Sequence, residues 1–284
     1  WHRNDGGMRF LMGDIIDESL YKKQNMQFER TNEAAKAFAA NYCGNTIIRD
    51  SIFGIASNYA RKRELSLEIL RYPFKDDELW AFTFIKKGTI FLCVNSDLPV
   101  CKQIFAMAHE LYHIHCYAED INTNTITGGS LLDSRTADEE ATSQEDLEAN
   151  AFAGLLLMPD ASVIEQFKMF GLSKEKLDVD GVIILMDIFA LPYKAVILRL
   201  VESGIIEEKK ARELLKADSK YITDRIKLTG KAERWQKDSN DLIYYGSLLE
   251  NLKFNSEHDL LVNTREKSDR AYLEKISREF RKER

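Results

Sequence analysis

The sequence predicts an α+β fold: a mainly helical core holding a small three-stranded antiparallel sheet, then a helical, helix-turn-helix-like segment and a C-terminal region of unknown fold. Three observations predict it. Apolar residues recur at three- and four-residue steps from Asn32 to about Leu65. Between 65 and 94 the pattern changes to short β-branched and aromatic runs, and from about residue 100 helical periodicity returns. With 284 residues, 44% of them apolar and only four prolines, the chain is long enough to bury a full core without disulfide staples.

The elements follow in order. Ala35, Phe38, Ala39 and Tyr42, then Ile47, Ile48, Ile52, Ile55 and Ala56, mark the helical stretch over 32–65. Leu65–Leu70, Leu79–Ile85 and Thr89–Val94 read as three strands of a meander, separated by Lys75-Asp76-Asp77-Glu78 and Lys86-Lys87-Gly88. Asn95 to Pro99 offers capping residues and an early proline for a helix reaching about Tyr117. Glu119 to Gln144 is polar and acidic and reads as a long loop, or a pair of short elements, without enough apolar periodicity to be core. Leu147, Ala151, Phe152, Leu155 and Leu156 restore the helical period up to Met158-Pro159-Asp160.

Short helices follow over Ala161–Met169 and Asp180–Phe189. A turn at Ala190-Leu191-Pro192 precedes a helix at Tyr193–Ser203; Gly204 ends it and Glu207–Lys216 begins another, a helix-turn-helix spacing. Beyond Ala217 the chain is charged and mixed, with a last helix expected from Ser268; residues 265–284 hold eight basic and five acidic side chains, a local charge of +3. The expected organisation is an N-terminal extension (1–31), a core (32–160), the helix-turn-helix-like segment (161–216) and a C-terminal region (217–284).

Forty basic against forty-six acidic residues leave a charge of −6, so the overall field does not favour a phosphate backbone and any nucleic-acid contact must be local. The four cysteines, Cys43, Cys93, Cys101 and Cys116, have neither the C-x-x-C spacing of a zinc knot nor the density of a secreted scaffold. No stretch approaches the roughly 18 consecutive apolar residues of a membrane span, and the opening residues lack the apolar stretch of a signal peptide. The expected location is cytoplasmic, with no membrane partner.

Chemistry concentrates in Phe105-Ala106-Met107-Ala108-His109-Glu110-Leu111-Tyr112-His113-Ile114-His115, an H-E-x-x-H pattern inside the expected helix. His109 and His113, four residues apart, lie on one helix face about 6 Å apart and can converge on one ion. Two imidazoles suit a divalent metal such as zinc. Glu110 sits roughly 100° further round, placed to take a proton from water rather than to act as a ligand. Against a chance match stands the context: Ile104, Phe105, Ala108, Leu111 and Ile114 fill the other faces, and histidines and a glutamate in so apolar a helix are costly unpartnered.

A catalytic metal needs a third protein ligand and an open position. His115 points away from His113, and His258 is isolated in a charged stretch. Glu148 lies in Glu145-Asp146-Leu147-Glu148-Ala149-Asn150-Ala151-Phe152-Ala153-Gly154-Leu155-Leu156-Leu157-Met158-Pro159, on a face shared with Ala151, Phe152 and Leu155, whereas Glu145 and Asp146 lie nearer the helix entry. A carboxylate on an apolar stripe needs a partner; an exposed acid near a helix N-terminus is the other reading, and spacing alone does not choose between them.

The segments Ile104–His113 and Glu148–Pro159 together resemble the ImmA/IrrE family of zinc metallopeptidases, in which an AHELGH helix is followed by an EAN-x-FA-x-x-LLMP helix. Val94-Asn95 is similar to the strand end that precedes the first. The resemblance covers about Asn32 to Lys216, and Leu185–Ile206 is similar to the small helix-turn-helix segment that follows the Met-Pro in the family. It departs at Tyr112, where the family has Gly, and in the long His113–Glu148 spacing, which marks 119–144 as an inserted lid or specificity loop. It implies a zincin-like core, Zn2+ held by His109, His113 and Glu148, and Glu110 as the catalytic acid–base.

It further implies an intracellular metalloendopeptidase that cleaves a specific protein substrate, a DNA-binding transcriptional repressor. Tyr112, His115 and Tyr117 are candidates for stabilising the oxyanion, and one edge of the 65–94 sheet for receiving an extended peptide. The alternative is a non-catalytic zinc-containing regulator or a toxin–antitoxin component. For the regulator, the would-be recognition helix 192–203 offers only Lys194 and Arg199 among apolar residues, weak equipment for direct nucleic-acid binding.

Overall fold

The strands and helices that build the candidate site come from the middle of the chain, flanked by helices on both sides. The computed structural model describes residues 15–74, 76–122, 128–130, 144–239 and 243–282. Leu20–Lys23 (α1) leads into Asn25–Tyr42 (α2), whose Phe28, Thr31, Ala35 and Phe38 form a buried face at helical spacing. Ile52–Lys62 (α3) follows a 3-10 turn at Arg49–Ser51, so the helical stretch expected over 32–65 is two helices. Arg49 takes φ of 52°, a left-handed conformation that no continuing helix accommodates.

Ser66–Tyr72 (β1), Ala81–Lys86 (β2) and Thr89–Asn95 (β3) are the three expected strands. Lys87 and Gly88 both have positive φ, 51° and 75°, the type I′ geometry that closes a two-residue hairpin between β2 and β3. The arrangement is not the antiparallel meander expected from the sequence. β3 is central: it pairs antiparallel with β2 and parallel with β1. The physical reason lies in Asn95, fully buried at the end of β3. Its side chain accepts from the N–H of Phe74 and Asp97 at 2.9 and 3.0 Å and donates to the carbonyls of Asp76 and Leu79, both at 3.1 Å. The connection leaving β1 is thereby carried over the end of β3 and delivered to its far side.

Gly128–Ser130 (β4) pairs with Phe84–Lys86 and Tyr244–Tyr245 (β5) with Leu70–Arg71, both antiparallel, giving a five-stranded mixed sheet of order β4-β2-β3-β1-β5. Val100–Cys116 (α4), introduced by Pro99, packs on β2 and β3, and every residue from Gln103 to Ile114 is buried. Ala118–Asn122 (α5) follows, and Gln144–Leu157 (α6) packs between α4 and α2. The stretch 119–144, expected as a long loop or a pair of short elements, begins inside α5, contains β4 and ends at the first residue of α6; 123–127 and 131–143 lie outside the described residues.

The later helices are Asp160–Met169 (α7), Val179–Phe189 (α8), Tyr193–Glu202 (α9), Glu208–Leu215 (α10), Ser219–Thr229 (α11), Glu233–Gln236 (α12), Leu248–Glu257 (α13) and Asn263–Lys282 (α14). The last begins five residues before the expected Ser268. The bend between α8 and α9 is 96°, within the range of a helix-turn-helix corner. Yet α9 is packed rather than presented: Tyr193, Ala195, Val196, Ile197, Arg199, Leu200 and Val201 are all buried.

Arg199 explains how α9 docks on α6. Its guanidinium donates to the Met158 carbonyl at 3.2 Å, to Glu202 at 2.8 Å and to Asp160 at 2.5 Å. Its stem runs over Gly154, where an added Cβ would lie 2.9 Å from the Arg199 Cδ. The motif glycine is therefore the space through which the arginine reaches the end of α6. The chain beyond 217 returns to the core as well: Trp235 Nε1 donates to the Asp187 carbonyl at 2.9 Å, and Val100 N to the Lys237 carbonyl at 3.0 Å. Among the described residues no single helix is long and apolar enough to cross a membrane.

Candidate metal centre

α4 supplies two imidazoles because four residues make about one turn and a tenth, which puts His109 and His113 on the same side of a straight helix. Their Nε2 atoms are 3.2 Å apart, and both rings are buried, at 1% and 0% exposure. Each ring spends its other nitrogen on α6: His109 Nδ1 lies 3.0 Å from Asn150 Oδ1, and His113 Nδ1 3.0 Å from Glu145 Oε1. Those acceptors require an N–H at both Nδ1 positions. A neutral imidazole has only one N–H, so with both rings neutral, as metal binding requires, the two Nε2 atoms present lone pairs to each other.

A carboxylate from α6 completes the group. Asp146 Oδ1 lies 3.8 Å from His109 Nε2 and 3.6 Å from His113 Nε2. Ligand atoms around a tetrahedral ion with bonds of about 2.0–2.1 Å stand about 3.3–3.4 Å apart. The three atoms form a triangle of nearly that size, and two lone pairs with an anionic oxygen repel one another unless a cation sits between them. The residues present thus fit a divalent metal.

Electrostatics agree with that reading. Burial, reinforced by the neighbouring His113, holds His109 well below its ordinary pKa, keeping it a neutral donor. For His113 burial also opposes charge, but the bond to Glu145 and the carboxylates of Glu110 and Asp146 more than reverse this and raise its pKa. A surrounding that favours a proton on this ring also favours a metal cation in the proton's place.

Glu110 is buried at 1% exposure on the adjoining face of α4. Its Oε2 accepts from the Thr83 hydroxyl at 2.7 Å, while its Oε1 is buried with no hydrogen-bond partner among the described residues. Burial pushes its pKa up to about 7, with the Asp146 charge adding to this and His113 and the Thr83 bond opposing it. A carboxylate of that pKa, with one oxygen held and the other open, can take and return a proton near neutral pH.

Glu148, the third ligand implied by the family resemblance, does not join the group. Its Oε2 accepts from the Tyr112 hydroxyl at 2.6 Å and its Oε1 from the Gln144 amide at 2.9 Å. The carboxylate that meets the imidazoles is Asp146. Helix geometry accounts for the difference. Asp146 and Asn150, four apart, share the face turned to α4, whereas Glu148 lies about 200° round from Asp146. Phe152, on the same stripe as Glu148, packs against Phe38 of α2 and Tyr112 of α4.

His115 faces the opposite way, its Nδ1 3.0 Å from the Tyr59 hydroxyl, and His258 sits at the C-cap of α13 against Phe254. The signal that would have found Asp146 is its four-residue spacing from Asn150; Glu145 lies next to it. Thr83, on β2, had no sequence signal because its role depends on the strand's register beside α4.

A family model described as the IrrE N-terminal-like domain, of the M78 peptidases, matches residues 62–201, just under half of the chain. The match begins at the end of α3 and runs through β1–β3, α4, α6 and α9. No curated protein matches the sequence.

Proposed function

We propose, on the premise of the match of residues 62–201 to the IrrE N-terminal-like domain of the M78 peptidases, that the chain is a zinc-dependent metalloendopeptidase acting on a specific protein substrate. One observation carries the reading: His109 Nε2, His113 Nε2 and Asp146 Oδ1 converge beside a buried Glu110 that has one oxygen free. In this proposal those three groups hold the metal. Two imidazoles and a carboxylate are a donor set suited to zinc. Bound there, zinc would polarise the scissile carbonyl and acidify water.

The remaining work falls to the chain's own residues. Asn150 and Glu145 fix the two rings so that both Nε2 lone pairs face the same point. Glu110 receives the proton of the attacking water on Oε1 and returns it to the leaving amine, while Thr83 holds Oε2 and keeps the carboxylate in that orientation. An extended peptide would add to the β2 edge at Ala81–Thr83, the part of that strand next to Glu110 and left uncovered by β4.

The substrate class we propose is a DNA-binding repressor, and the compartment cytoplasmic, as the resemblance implies. The burial of α9 argues against the alternative of a DNA-binding regulator, since a recognition helix must offer its side chains to a groove. The test is incubation of the zinc-loaded protein with candidate repressors, followed by mass mapping of fragments. Cleavage at one site, lost in Glu110→Gln with zinc still bound, supports the proposal; cleavage unchanged in that variant overturns it.

A further inference from the structure

One stripe of α4 is fastened to the start of α6 by more than the metal group. His109, His113 and Tyr117 follow at four-residue steps, and each makes a polar contact with α6. His109 meets the neutral amide of Asn150. His113 and Tyr117 meet the same carboxylate: Glu145 Oε1 lies 3.0 Å from His113 Nδ1, and Glu145 Oε2 accepts from the Tyr117 hydroxyl at 2.8 Å. His113 and Tyr117 are buried, at 0% and 4% exposure, while the Glu145 side chain keeps 26% of its surface.

We propose that Glu145 is the positioning residue of His113 and that Tyr117 holds Glu145 in place, so that the ring is set for a metal before any metal arrives. This rests on the reading that His113 Nε2 is a ligand.

The argument is one of hydrogen-bond inventory. His113 has two tautomers, and only the one with its proton on Nδ1 leaves Nε2 free to bind. With Nε2 of His109 at 3.2 Å, the other tautomer would direct an N–H into the space the metal needs. A carboxylate facing Nδ1 accepts and cannot donate, so it admits no form of the ring without an N–H there and, of the two neutral tautomers, only the first. Glu145 is the second residue of α6, has three side-chain torsions and is partly open to solvent. Left alone it would sample several rotamers. The Tyr117 hydroxyl, fixed at the C-terminal end of α4, occupies the second carboxylate oxygen and removes that freedom. His113 on α4 and Tyr117 at its C-cap both hold Glu145, so the grip also sets how closely the first turn of α6, and with it Asp146, approaches the imidazoles. Such outer partners typically alter metal affinity by about 10- to 100-fold.

The test uses the full chain with zinc as probe and two readouts. In metal-free, 15N-labelled protein, long-range 1H–15N spectra report the tautomer of His113, with His109 as internal reference; zinc affinity is measured by competition with a chromophoric chelator. Wild type is expected to show His113 protonated on Nδ1. Glu145→Leu should populate both tautomers and weaken zinc binding about 10- to 100-fold, with His109 unchanged. Glu145→Gln, which keeps an oxygen acceptor, should recover most of both. Tyr117→Phe should lose several-fold in affinity with circular dichroism unaltered.

Wild-type tautomer and affinity in Glu145→Leu would overturn the role of Glu145, and the same result in Tyr117→Phe that of Tyr117. If Glu145→Leu does not fold, Glu145→Gln and Tyr117→Phe decide: weakened affinity in the phenylalanine variant with recovery in the glutamine one supports the proposal, and no change in the phenylalanine variant rejects it. Absence of zinc binding in wild type would refute the metallopeptidase reading, while the tautomer in metal-free protein would still decide this one.

Discussion

Glu110 makes the metal-free protein pay for its reactivity in stability, and the size of that cost can be worked from its surroundings. Burial raises its pKa from 4.5 to about 7 in the folded chain. Between these values the folded state binds more protons than the unfolded one, so stability is greatest at low pH and is lost as pH rises through 7. At about 1.4 kcal/mol per unit, the full change is about 3 kcal/mol. Glutamine cannot ionise, so Glu110→Gln should remove this dependence. The substitution leaves an amide N–H2 where Oε1 now lacks a partner, a cost of about 1–3 kcal/mol that does not vary with pH. The clean quantity is therefore a difference of differences. Urea unfolding with excess chelator, at pH 4.5 and pH 8.5, should show the variant gaining about 3 kcal/mol relative to wild type at the higher pH. A stability difference equal at the two pH values, or one that moves in favour of wild type as pH rises, would refute the reasoning.

Other consequences follow from the same contacts. Asp146→Ala should weaken zinc binding by more than the about 10- to 100-fold typical of losing an outer partner, whereas Glu148→Gln, at a carboxylate hydrogen-bonded to Tyr112 and Gln144, should change it less than about threefold; calorimetric titration of both variants checks this. Arg199→Met should cost about 3–5 kcal/mol in denaturant unfolding, because Glu202 would be left buried without its partner; Arg199→Met with Glu202→Leu should cost less. Gly154→Ala should destabilise by about 1–3 kcal/mol, since the new methyl meets a buried arginine stem rather than open space; thermal unfolding reads the effect.

The sequence was most legible where local geometry suffices. Four-residue spacing on a straight helix is enough to bring His109 and His113 together, and the helix ends at Met169, Phe189 and Leu215 were marked by Gly, Ala-Leu-Pro or charged residues. Legibility failed where a contact depends on register between elements. The stripe shared with Phe152 leaves Glu148 open as a ligand and the family resemblance singles it out, but its carboxylate meets Tyr112 and Gln144; Asp146, near the helix entry and 29% exposed in its side chain, has the pattern of an ordinary first-turn acid until α4 is laid beside it.

The parallel pairing of β1 with β3 was hidden for a similar reason. Three strands in a row suggest a meander, and only the set of hydrogen bonds around the Asn95 side chain diverts the chain over the end of β3. β5, two residues long, carries no period at all. Helix-turn-helix spacing predicts a corner, and α8 and α9 meet at 96°, but spacing does not reveal that Arg199 turns inward to hold α6 instead of outward toward a partner.

The account's central claim is that two imidazoles and the Asp146 carboxylate meet around one divalent ion. X-ray absorption at the zinc edge of protein loaded with one equivalent tests it most directly. The expected spectrum has two imidazole shells at about 2.0–2.1 Å with the remaining ligands oxygen, and in Asp146→Ala zinc should no longer be held at stoichiometric occupancy. Zinc bound through sulfur at about 2.3 Å, or the wild-type spectrum persisting in Asp146→Ala, would contradict it.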